Sequence, residues 1–84
     1  MQLEILTPDA NVFSGRIKVL RVPGSKDPFT VLRNHAPIIS SLEPGELTIV
    51  TEAGADLVFT ISGGMMELKR NKIILLTEHI IREE

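Results

Sequence analysis

Cysteine is absent from the 84 residues, which removes disulfide scaffolds, thiol nucleophiles and thiolate metal sites together. Tryptophan and tyrosine are missing too, so Phe13, Phe29 and Phe59 are the only aromatic rings. Platforms that stack bases or sugars need more rings than this, and the three phenylalanines are expected in a core. No run of 18 apolar residues occurs, and no basic start leads into an apolar stretch. A membrane-spanning helix and a signal peptide are therefore not expected. Excess positive charge is also lacking, with nine Lys and Arg against eleven Asp and Glu, a net charge of -2. Along the chain the basic residues are dispersed apart from Lys69, Arg70 and Lys72. Nucleic-acid binding, which draws its affinity from clustered cations, is not expected.

What is present suits one folded domain over residues 1–84. Hydrophobic residues make up 43% and charged residues 24%, the balance of a chain that can bury a core, although a thin one at this length. The stretch "MQLEILT" alternates, with Leu3 and Ile5 on one face and Gln2, Glu4 and Leu6 on the other, as a half-buried strand requires. "VFSGRIKVLRV" carries Phe13, Ile17 and Val19 on one parity and Val12, Leu20 and Val22 on the other. A long strand here has to exchange its buried face, and Gly15 is the expected place for a bulge. Short strands are predicted at "FTVL" and "IISSL". "EPGE" at 43–46 suits a type II turn with positive φ at Gly45, so a hairpin is predicted from Ile38 to Val50. A second hairpin is predicted around Ala53-Gly54, and Asn71-Lys72 is expected to join "MMELK" to "IILLTE".

These short strands and turns predict an all-β fold, a sandwich or flattened barrel of about eight to ten strands. A terminal helix is the alternative over 72–84, where Ile73, Leu76 and Ile80 have helical spacing. The β-branched Ile73 and Ile74 fit a sheet better. The charged end "REE" is expected to fray.

Catalytic chemistry finds little support. Glu4, Asp9, Asp27, Glu43 and Glu46 sit at predicted strand edges or turns, where a solvated carboxylate is the ordinary outcome. The serines lack a nucleophile motif, and His35 and His79 have no partner at metal-ligand spacing. Neither "VPGS" nor "SGGM" has the pattern of a phosphate loop, and tight turns account for both glycine groups. No cofactor is expected. His35, in "RNHAP", admits two readings: a ring that hydrogen-bonds backbone where a strand breaks, or part of a contact surface beside Arg33. Without catalytic machinery the module is expected to bind or assemble. A free-standing ligand- or peptide-binding module is the rival, and a small hydrolase the weakest reading.

Taken in order, "LEILTPDANVFSGRIKVLRVPG", "FTVLRNHAPIISSLEPGELTI" and "ISGGMMELKRNKIILLTE" resemble the epsilon subunit of F-type ATP synthase, the counterpart of the mitochondrial delta subunit. The resemblance covers the whole chain and rests on the order of "VFSG", "VPG", "NHAP", "PG" and "SGG". It implies a β-sandwich in the central stalk, attached to the gamma subunit, resting on the polar loops of the c ring and turning with the rotor beneath the catalytic alpha/beta hexamer. It implies no active site, a part in coupling proton flow to ATP synthesis, and a peripheral place on the cytoplasmic side of a bacterial membrane. Membrane contact is then expected only through the complex.

Residue by residue, the resemblance implies that the turn Ser25, Lys26, Asp27, Pro28 faces the c ring, together with Glu43. It implies that Arg33, Asn34 and His35 face gamma. His35-Ala36-Pro37 matches the family's "GHAP" segment, with Asn34 in place of glycine and Arg33 in place of proline. Asparagine suits that substitution if the backbone at 34 is left-handed. The family's helical hairpin is expected to be absent, because it would begin where this chain stops.

Overall fold

The computed structural model describes residues 1–83, and within them the chain is all β, with nine strands and no helix. The strands are β1 (Gln2–Leu6), β2 (Asn11–Val22), β3 (Phe29–Leu32), β4 (Ile38–Leu42) and β5 (Gly45–Thr51). They continue with β6 (Asp56–Ile61), β7 (Gly64–Lys69), β8 (Lys72–Leu76) and β9 (Ile80–Glu83). The C-terminal strands take the place of the alternative helix, as β-branched Ile73 and Ile74 favour. Two sheets share β2: the first runs β4-β7-β8-β1-β2, the second β2-β5-β6-β9 with β3 also against β2. All pairs are antiparallel except β1 with β8.

The alternation seen in the sequence decides which faces meet. Leu3, Ile5, Met66, Leu68, Ile73 and Leu75 from the first sheet are buried against Leu20, Leu47, Ile49, Phe59 and Ile61 from the second. One core fills the space between the sheets, so the architecture is a sandwich. Phe59 lies in this core, whereas Phe13 and Phe29 pack against it half-buried. Phe29 takes that place because its ring covers Gly24, where any side chain would collide with it.

Several expectations are corrected. β2 does change its buried face, from Ile17 to Leu20 and Val22, but Gly15 pairs regularly with Leu3. The register shifts instead near Val12 and at Lys18, where one extra residue moves the inward set to the other parity. The 38–50 hairpin does not form: β4 pairs with β7 and β5 with β2 and β6, so Glu43-Pro44 carries the chain from one sheet to the other. Gly45 is not in the positive-φ region. A turn-forming sequence reverses or redirects a chain, but pairing is decided by which partner buries the apolar face.

The Ala53-Gly54 hairpin is present. The β7–β8 turn falls one residue earlier than expected, on Arg70 and Asn71, both left-handed at φ 52 and 61, the backbone of a two-residue hairpin turn. Arg82 and Glu83 are paired in β9 rather than frayed, with the Thr60 hydroxyl donating to the Glu83 carboxylate at 2.7 Å. The remaining residue of "REE", Glu84, lies outside the described residues.

Candidate interaction surfaces

The strand registers divide the turns between two ends of the sandwich. At one end lie the 7–10, 23–28, 43–44, 62–63 and 77–79 connections; at the other lie 33–37, 52–55 and 70–71. The residues singled out from the sequence therefore separate. Ser25, Lys26, Asp27, Pro28 and Glu43 occupy the first end, and Arg33, Asn34 and His35 the second.

At the first end the structure joins the two predicted pieces. Gly24 bridges Leu42, the Glu43 amide donates to the Pro23 carbonyl at 2.7 Å, and the Ser25 amide donates to the Ser41 carbonyl at 3.1 Å. The Ser25 and Ser41 hydroxyls are 2.7 Å apart. This leaves Lys26, Asp27 and Pro28 exposed on an anchored base. Asp9 and Glu78 sit on neighbouring turns, so the described turns here carry four carboxylates, with Asp27 and Glu43, against Lys26.

Nearby, Gly63 and Gly64 have φ of 111° and 147°, and a side chain on Gly64 would run into the Leu76 carbonyl. Buried Thr77 secures the same corner by donating to the Gly63 carbonyl at 2.6 Å. "SGG" is thus a corner between sheets, which only glycine can follow.

At the second end the His35 amide donates to the Leu32 carbonyl at 3.1 Å, closing a turn whose third residue, Asn34, is left-handed at φ 65. Asparagine tolerates that conformation. The His35 ring answers the first of its two readings by donating from Nδ1 to the Ala36 carbonyl at 2.8 Å, a solvent-exposed bond from a half-buried residue. Asn34 also reaches the other sheet. Its amide donates to Asn71 Oδ1 at 2.8 Å, and Asn71 Nδ2 returns a bond to Asn34 Oδ1 at 3.2 Å. Two left-handed turns, one from each sheet, are clasped together, a link that no local motif announces.

Sequence reasoning missed a third surface. On the outer face of the first sheet, the pairings align Met65, Leu76 and Leu6 in one row, whereas in the next Glu67 stands between Ile39 and Ile74. Met65 and Leu76 are 50% exposed and Ile39 69%. Leu6, Pro8, Met65 and Leu76 line an open groove of about 480 Å³. Clustered exposed apolar residues of this kind mark contact with another protein or a ligand. The signal was in the alternating parities of "MMELK" and "IILL", whose outward members are not all polar.

A family model described as ATP synthase, Delta/Epsilon chain, beta-sandwich domain, matches residues 1–83. Among solved structures, a chain of the Euglena gracilis mitochondrial ATP synthase (OSCP/F1/c-ring) aligns with a TM-score of 0.86 at 19% identity, covering 95% of this chain and 51% of that one. A chain of the Tetrahymena thermophila mitochondrial ATP synthase central stalk and c-ring aligns with a TM-score of 0.77 at 18% identity, covering 96% and 65%. The chain thus spans between half and two thirds of these relatives.

Proposed function

Because this chain belongs to the ATP synthase delta/epsilon β-sandwich family, we propose that it is a non-catalytic connector of the central stalk, held between the gamma subunit and the c ring. In that role it helps couple proton translocation to ATP synthesis at the alpha/beta hexamer, peripheral to a bacterial membrane on its cytoplasmic side. The supporting observation is the separation of docking surfaces on one packed core. The anchored turn at Ser25–Pro28 and Glu43 occupies one end, and the Arg33–His35 turn the other.

Mechanically, a connector has to pass force between partners without changing shape. The paired sheets and close-packed interior resist shear, and the 23–28 segment is tied to β4 by backbone as well as side-chain bonds. Lys26, Asp27 and Glu43 meet the polar c-ring loops in this reading. His35 and the apolar row of the first sheet meet gamma, where burying Leu76 and Met65 supplies affinity.

Co-purification tests the proposal. The tagged chain is expected to capture gamma, and the resulting pair to capture a detergent-solubilised c ring. Charge reversal at Lys26 and Asp27 is expected to lose the ring while gamma is retained. A chain that captures neither partner, or turns over a substrate by itself, contradicts the proposal.

A further inference from the structure

Folding gathers charge that the sequence disperses. Arg16, Arg33, Lys69, Arg70 and Lys72, five of the nine Lys and Arg in the chain, come to the end opposite the acidic turns. Gln2 pairs with both Arg16 and Lys72, and Lys72 with Lys69, which places the side-by-side strands β1, β2, β7 and β8 in register there. The Asn34–Asn71 clasp brings the Arg33 turn alongside. Between them is a pocket of about 350 Å³ lined by Met1, Gln2, Arg16, Arg33, Glu52 and Asn71. Asn71 is held by its bonds to Asn34, and the Glu52 amide donates to the Arg16 carbonyl at 3.2 Å, so the pocket walls are tied from both sheets.

We propose that this basic end docks an acidic segment of a protein partner, seating one of its carboxylates between Arg16 and Arg33. Guanidinium groups match a carboxylate with paired hydrogen bonds. Glu52 on the same wall disfavours a dense polyanion but accepts a segment whose carboxylates are spaced apart. The net charge of -2 adds to this, since a nucleic acid or lipid surface extends beyond the patch and meets the rest of the molecule, whereas a short peptide stays within the roughly 8 Å over which the patch is felt at physiological salt. The preference over lipid also rests on the functional reading above, which turns the acidic end toward the membrane and the basic end away from it.

The probe is a fluorescently labelled decapeptide of alternating Glu and Gly, titrated with the 84-residue chain in low salt and read by anisotropy. Binding is expected, weakened by at least about tenfold in R16Q/R33Q and left unchanged in R82Q, which pairs with Phe59 on β9 and is not among the residues lining the pocket. Circular dichroism establishes that each variant is folded. Absence of binding, equal weakening by R82Q, or displacement of the peptide by phosphatidylglycerol vesicles or inorganic phosphate at matched charge overturns the proposal. Gamma capture by the same wild-type chain separates the two readings. Capture without peptide binding sinks this inference alone, and peptide binding without capture sinks the functional reading alone.

Discussion

At the residue scale, small groups in unusual backbone conformations hold the molecule together. Gly64 combines a φ of 147° with no room beside the Leu76 carbonyl. Gly64→Ala is expected to destabilise by about 2 to 4 kcal/mol, read by urea denaturation. Unchanged stability would show that the corner between β6 and β7 relaxes freely. Asn34 matters through its left-handed backbone and its bonds to Asn71. Asn34→Ala is expected to cost about 1 to 2 kcal/mol, and Asn34→Gly less, because glycine restores the backbone and loses only the side-chain bond. His35 makes its ring bond in an exposed setting, so His35→Ala is expected to change stability by no more than about 0.5 kcal/mol. In the proposed function the same substitution lowers gamma affinity. A large loss of stability with gamma binding intact would contradict that division.

At the element scale, alternation was readable and pairing was not. Leu3 with Ile5, and Met66 with Leu68, are buried as their spacing indicates, because side-chain parity is a local property of a strand. "EPGE" was misread because a proline-glycine turn carries no information about whether its flanking strands share a sheet. The bulge was misplaced for a related reason. Gly15 has the conformational freedom, but the face exchange is required between Ile17 and Leu20, and it happens there at Lys18. Deleting Lys18 tests this directly. The deletion removes the extra residue and leaves Ile17, Leu20 and Val22 at regularly alternating positions on the core face, so the variant is expected to keep cooperative thermal unfolding. Loss of cooperative unfolding would show that Lys18 does more than absorb the change of face. The first sheet's outer face supports a different prediction: Leu76→Glu, at a half-exposed position, is expected to leave stability within about 0.5 kcal/mol and abolish gamma capture.

At the scale of the whole molecule, function depends on what lies at which end. The candidate residues were readable as turn positions, but their separation follows from registers between strands far apart in sequence. The same is true of charge: a net charge of -2 conceals acidic turns at one end and five basic residues at the other. The central claim is that this sandwich touches two partners at once, one through the 23–28 and 43–44 turns and the other through the outer face of the first sheet and the Arg33–His35 turn. The absence of cysteine makes it directly measurable, since an introduced cysteine is unique on this chain. With the chain assembled into a complete ATP synthase, D27C carrying a short photocrosslinker is expected to attach to the c subunit, and L76C carrying the same group to gamma. Attachment of both positions to one subunit, or of neither to any, would contradict the account.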